Sequence, residues 1–234
     1  MHIAFFGDSL TEGLTGTSLF PLLEIRLPED RLYNFGRGGE TAVSLYRRIS
    51  TMTFDRAFSL AFLWVGANDL LARQSLSYSL LKLFRRQPWA RSEKEFRKYY
   101  KKSLTRLLRL SPRIVTVPPF LIGENLSSPW NQRLERLSSI IEEVSAGTTG
   151  TDFLDIRESL FSRLPETGAA EYRPKSALDT FRQNKRLPPS IRKEKARNEE
   201  PFSLTTDGVH LNPMGAELIA GHFCRAVEGT RTNP

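Results

Sequence analysis

The chain is poor in the residues that hold covalent or metal-bound scaffolds together. A single cysteine, Cys224, stands among 234 residues, which excludes an internal disulfide and any multi-cysteine zinc site. No apolar run approaches the roughly 18 residues that a membrane-spanning helix needs. The pentapeptide Gly-x-Ser-x-Gly does not occur, so the nucleophile elbow of the α/β-hydrolases is missing. There is no internal repeat and no low-complexity segment. The first apolar stretch begins almost at Met1 and leaves no room for a secretory leader. Together with the lone thiol, this leads to the expectation of a soluble, cytoplasmic protein.

What is present suffices for one sizeable core, because 39% of the residues are hydrophobic and the length suits one domain over 1–234 rather than two. Strand patterns near 2–6, 32–36, 58–65, 113–117 and 152–156 alternate with helical patterns near 41–50, 91–110, 130–146 and 212–228. A further helix around 17–27 carries Pro21, which a helix tolerates only in its first turn. Such alternation predicts parallel βαβ units. Phe58 to Val65 is almost continuously apolar, as in a central strand covered on both faces.

Four short blocks fall at strand ends or just before the last helix: Gly7-Asp8-Ser9-Leu10, Gly38-Gly39, Gly66-Ala67-Asn68-Asp69 and Asp207-Gly208-Val209-His210. Each alone also reads as an ordinary turn. Together they supply the groups that attack an ester. A serine hydroxyl needs a base within hydrogen-bond reach and a third group to orient that base. Of the three histidines, His2 opens the first strand at the end opposite Ser9, and His222 falls inside the last helical pattern. His210 precedes that helix in a loop, with Asp207 three residues earlier, where a carboxylate can turn back onto the imidazole. Asn212 and Pro213 then read as cap and first residue of the helix. A glycine-turn N–H and an asparagine amide can donate to a developing oxyanion without carrying a charge.

These blocks resemble the SGNH (GDSL) family of esterases and lipases. The resemblance implies a three-layer α/β/α sandwich with a five-stranded parallel sheet, of flavodoxin-like order, and needs no metal or organic cofactor. It also implies Ser9 as nucleophile, Asp207 and His210 as the remaining catalytic pair, and Ser9, Gly39 and Asn68 as the oxyanion hole. The acidic-Thr ending of the second block, Glu40-Thr41, favours Gly39 over Gly38. Asp8, Asp69 and Thr41 are expected as loop supports. Pro118, Pro119, Asn131 and Asp155 echo the framework without a chemical role.

Charge is unevenly placed. Residues 73–109 carry +10 and residues 171–200 carry +4 of the net +8, leaving the remainder at −6. Around 91–110 the residues Phe96, Tyr99, Tyr100, Leu104, Leu107 and Leu108 recur at helical spacing, with lysines and arginines elsewhere. This favours a crossover helix packed on the sheet over a membrane-surface helix. Two stretches read as insertions near the active-site mouth. Residues 70–90 are rich in Leu, suited to wall an acyl pocket, and residues 165–202 are rich in Pro and charge, equally a lid or a surface excursion. The sequence-level expectation is a serine ester hydrolase acting on a small-molecule or lipid-like acyl ester, with a basic approach that favours anionic substrates. Two alternatives stay open: an acyltransferase using the same acyl-serine, and a non-catalytic binder of anionic membrane or nucleic acid through 73–109. The basic segment lacks a nucleic-acid motif, so nucleic acid is not the expected partner. Peripheral membrane contact and oligomeric state stay open.

Overall fold

In the computed structural model of the protein, residues 1–164 and 202–232 are described. The insertion expected at 165–202 therefore lies outside the described residues, apart from Phe202. Five strands, β1 (His2–Gly7), β2 (Arg31–Gly36), β3 (Leu60–Trp64), β4 (Ile114–Val117) and β5 (Thr151–Phe153), form one sheet in the order β2-β1-β3-β4-β5. Every pairing is parallel. This is the flavodoxin-like strand order. The chain leaves β1 toward one edge and returns as β3 on the other side, so a crevice opens beyond the carboxyl ends of these two strands.

Alternation along the strands builds two cores, one on each face. Ile3, Phe5, Phe62 and Trp64 belong to one cluster, together with Leu23, Ile219 and Phe223. Ala4, Phe6, Ala61 and Leu63 belong to the other, with Leu45, Phe96, Tyr100 and Ile141. The first layer of helices is α2 (Phe20–Arg26) and the last helix, α9 (Pro213–Thr232). The second is α3 (Ala42–Thr51), α6 (Glu93–Leu107) and α7 (Pro129–Ala146). Each fully buried large side chain contributes about 1.5–3 kcal/mol. Phe5 stacks on Phe62 with centroids 4.9 Å apart, and Phe62 stacks on Phe223 at 4.7 Å, tying sheet to helix.

The expected helices and strands are present with shifted ends. Pro21 is the second residue of α2, where no intrahelical N–H bond is lost. β3 starts at Leu60 rather than 58, because the Phe58 N–H turns to the Leu110 carbonyl. β5 stops at Phe153, and Asp155 instead accepts the Arg157 N–H at 2.7 Å. In α6, Phe96, Tyr100, Leu104 and Leu107 are buried while Lys94, Lys98, Lys101 and Lys102 face water.

The Leu-rich stretch holds two helices that periodicity did not single out, α4 (Ala67–Gln74) and α5 (Leu76–Phe84). The second is turned opposite to expectation. Leu76, Leu80, Leu83 and Phe84 are exposed, while Lys82 is only 1% exposed. Short helices α1 (Ser9–Glu12) and α8 (Glu158–Phe161) complete the described elements. No helix among the described residues is long and apolar enough to cross a membrane.

Candidate active site

β1 ends at Gly7 and α1 begins at Ser9 with no intervening loop. The turn is this tight because Gly7 has no side chain: a Cβ there would lie 2.4 Å from the Trp64 carbonyl and 2.2 Å from Thr11 Oγ1. Asp8 caps α1, its carboxylate accepting the Leu10 N–H at 3.0 Å. Ser9, as first helical residue, keeps its N–H out of the helix's own bonding.

From the far end of the chain comes the loop before α9. His210 Nε2 lies 3.0 Å from Ser9 Oγ, and His210 Nδ1 lies 2.9 Å from Asp207 Oδ2. The other Asp207 oxygen accepts the N–H groups of Val209 at 3.0 Å and His210 at 2.9 Å, so the turn orients its own carboxylate. Burial alone would raise the Asp207 carboxyl, but the adjacent imidazole and these N–H donors outweigh it and hold it down to about 2. Burial likewise works against a charged His210. The facing Asp207 wins, with Asp8 adding to it, and raises the imidazole above its ordinary value. Asn212 caps α9 by accepting the Gly215 N–H at 2.9 Å. The other two imidazoles are elsewhere, His2 on the Tyr33 hydroxyl and His222 on the Ser159 hydroxyl.

The second and third blocks meet beside Asp8. Arg37 N–H bonds the Gly7 carbonyl at 3.0 Å, bringing the glycine turn alongside β1. Gly39 has φ +76°, a left-handed conformation that glycine alone adopts cheaply. Its N–H has no hydrogen-bond acceptor among the described residues. Asn68 donates to Asp8 Oδ2 at 3.0 Å, and its carbonyl oxygen accepts the Tyr78 hydroxyl at 2.6 Å and the Lys82 ammonium at 3.2 Å. Burial pushes the Asp8 carboxyl up to about 6.

Asp69 is fully buried and accepts the N–H groups of Ala42 and Ala90, each at 2.8 Å. It thereby ties the start of α3 to the chain that follows α5. Burial pushes this carboxyl up to about 6 as well. Thr41 caps α3 in a reciprocal box with Ser44 and donates its hydroxyl to the Pro88 carbonyl.

Sequence reasoning missed several residues of this region. Glu124, buried in the loop after β4, accepts the N–H groups of Ser203, Leu204 and Thr205 at 2.5, 2.7 and 2.8 Å and the Thr205 hydroxyl at 2.9 Å. It clamps the approach to Asp207. Tyr78, Lys82 and Gln87 were also missed. Only the unusual position of a lysine between leucines in a helical stretch hinted at them.

The sequence matches the GDSL-like Lipase/Acylhydrolase family over residues 5–218. The chain belongs to that family. With this membership it is a carboxylic ester hydrolase, and a purely non-catalytic binder is not favoured. Solved structures share the fold. An acetyl xylan esterase described as AlAXEase is 21% identical, with TM-score 0.68, covering 97% of this chain and 100% of its own. Axe2, an acetylxylan esterase from Geobacillus stearothermophilus, is 18% identical, with TM-score 0.66 and coverage of 96% and 92%. LAE5, an alpha/beta hydrolase enzyme from the metagenome of Lake Arreo, Spain, is 19% identical, with TM-score 0.64 and coverage of 96% and 94%. No curated protein matches the chain by sequence.

Proposed function

We propose that this member of the GDSL-like family hydrolyses short-chain acyl esters through an acyl-serine intermediate on Ser9. The observation that carries the reading is the continuous relay from Asp207 through His210 to Ser9, with links of 2.9 and 3.0 Å. Ser9 Oγ attacks the acyl carbonyl while His210 Nε2 takes its proton. Asp207 holds the imidazole tautomer and stabilises the imidazolium. The Ser9 and Gly39 N–H groups and the Asn68 amide receive the negative charge that grows on the carbonyl oxygen. Collapse expels the alcohol, which leaves with the proton from His210. A water molecule then attacks the acyl-enzyme, giving its proton to His210; the acyl–Oγ bond breaks, His210 returns the proton to Ser9 Oγ, and the acid leaves.

A short acyl group is favoured by the orientation of α5. Leu76, Leu80 and Leu83 point outward, and α5 turns Tyr78 and Lys82 toward Asn68, so this side of the site is polar rather than an acyl wall. Acetyl is the first acyl group to try, since two proteins of the same fold are described as acetylxylan esterases. The test is fluorophosphonate labelling of the wild type and of Ser9→Ala, beside hydrolysis of nitrophenyl esters from acetyl to palmitoyl and of acetylated xylo-oligosaccharide. Labelling and turnover that vanish in Ser9→Ala, with an optimum at acetyl to butyryl, are expected. Full turnover in Ser9→Ala defeats the nucleophile assignment, and a long-chain optimum defeats the substrate assignment.

A further inference from the structure

A lysine buried from a helix whose Leu76, Leu80 and Leu83 face water is the reverse of ordinary helix patterning. Burying an ammonium is costly unless it is paired and hydrogen-bonded. Lys82 has three N–H donors, and three acceptors surround it: the Gly39 carbonyl, Asn68 Oδ1 at 3.2 Å and Gln87 Oε1 at 3.4 Å. It also stands 4.8 Å from the centroid of the Tyr78 ring. No step of the proposed reaction uses it.

The partners of Lys82 are the supports of the oxyanion donors. The Asn68 amide can face either way. With Oδ1 held by Lys82 and Tyr78, its Nδ2 must point to the opposite side, where one N–H meets Asp8 at 3.0 Å and the second is left for the substrate oxygen. Gln87 acts on the other donor. It gives its amide N–H to the Gly38 carbonyl at 2.9 Å, and that carbonyl belongs to the same peptide unit as the Gly39 N–H. Lys82, by holding Gln87 Oε1, fixes which end of that amide faces the peptide. Its bond to the Gly39 carbonyl fastens the far side of the same glycine.

We propose that Lys82 is a positioning residue that sets both the Asn68 amide and the Gly38–Gly39 peptide for oxyanion stabilisation, directly and beside the Tyr78 hydroxyl at Asn68, and through Gln87 at the peptide. The inference rests on the assignment of Gly39 and Asn68 as oxyanion donors. Such a residue acts on the transition state and not on ground-state binding, so its loss lowers kcat and leaves KM nearly unchanged. A brace outweighed only by direct donor loss is expected to matter by about tenfold or more, against the 10²–10³ typical of removing a donor itself.

Burial pulls the Lys82 ammonium down to about 7, opposed by Asp69, Asp8 and Glu40 and assisted by Arg85. These groups come from α4, the β1–α1 turn, the entry to α3 and the residue that follows α5. The brace is therefore strongest when Lys82 is protonated and weakens as pH rises past that value.

The experiment compares Lys82→Met and Lys82→Gln with the wild type in steady-state hydrolysis of nitrophenyl acetate, in inhibition by a trifluoromethyl ketone, and in thermal melting. The ketone forms an oxyanion on Ser9 and so reports on the hole. Expected for Lys82→Met are a kcat at least tenfold lower, KM within twofold, ketone affinity falling in parallel with kcat, and partial recovery in Lys82→Gln. Unchanged kcat and ketone affinity in a folded variant overturn the inference. If both variants unfold, Gln87→Met takes their place, because it breaks the link from Lys82 to the Gly38–Gly39 peptide: kcat and ketone affinity that fall together support the brace, and neither changing in the folded variant overturns it. Wild type that takes up fluorophosphonate at Ser9 while Lys82→Met loses nothing defeats this inference alone. Wild type that takes up none defeats it together with the proposed function.

Discussion

Asn68 donates its side-chain amide to Asp8 at 3.0 Å across 60 residues of chain, joining the strand end that carries Ser9 to the strand end one place along the sheet. β1 and β3 pair directly, Gly7 beside Trp64, so the two blocks need no long loop to meet. Among the described residues, the second N–H of the same amide has no carboxylate partner. Asn68→Ala is expected to lower kcat by about 10²–10³-fold with KM held within a few-fold, since the lost bond strengthens only as charge develops. Steady-state kinetics on nitrophenyl acetate check this, and a variant that loses only KM would remove Asn68 from the oxyanion set.

The pH dependence follows from the Asp207–His210 pair. In the proposed reaction, attack by Ser9 needs a neutral imidazole, and Asp207 raises His210 above its ordinary value. The acid limb of the kcat/KM profile should therefore have its midpoint above pH 6.5, with activity rising as pH increases. Asp207→Asn removes the charge that favours the imidazolium. Its acid limb should move to lower pH while the plateau falls by about 10⁴-fold. Both effects are read from one pair of pH profiles, and a limb that stays in place would show that Asp207 does not govern His210.

Gly39 is held at φ +76°, and a Cβ there would come within 2.7 Å of the Lys82 ammonium nitrogen. Gly39→Ala is expected to cost about 1–2 kcal/mol of stability from the left-handed backbone alone. It should also lower kcat by about 10–100-fold, as the turn and its N–H are displaced. Denaturant melts and kinetics measured together separate the two, and normal turnover at reduced stability would leave Gly39 with a structural role only.

The parts of the molecule that were legible in the sequence are those encoded locally. The apolar run into Ser9, the nearly continuous strand before Asn68, and Asn212-Pro213 ahead of α9 each combine a hydrophobic pattern with a cap or turn residue inside a few positions. That alternation pointed to parallel βαβ units, and the resemblance of the four blocks to the SGNH family implied the five-stranded parallel sheet. α5 was not legible, because Leu76, Leu80, Leu83 and Phe84 carry an apolar pattern that normally marks the buried face, yet here they are exposed. Its orientation is decided by Lys82 and Tyr78 reaching groups outside the helix, Gly39 43 residues away and Asn68 10 to 14 away, and no pattern within α5 records those partners. The insertion expected at 165–202 lies outside the described residues.

Glu124 illustrates the same limit and yields the last prediction. Its acceptors serve three backbone N–H groups 79 to 81 residues away, and backbone donors leave no trace in residue type. The segment it holds, Ser203 to Thr205, also pairs with the far side of the loop that carries Asp207 and His210: Thr205 bridges to Leu211, and the Asn212 N–H bonds the Leu204 carbonyl at 3.0 Å. Glu124→Ala would leave buried donors without an acceptor. An unsatisfied buried group costs about 1–3 kcal/mol, more when the lost partner is charged, so a loss on the order of 3 kcal/mol is expected in denaturant melts. Because the loop that carries Asp207 and His210 loses its anchor while both residues remain, turnover should fall by more than tenfold even where the protein stays folded. Glu124→Gln keeps one acceptor oxygen and should recover part of both losses. Equal damage from the two substitutions would point to the charge rather than to the hydrogen bonds as what holds the loop.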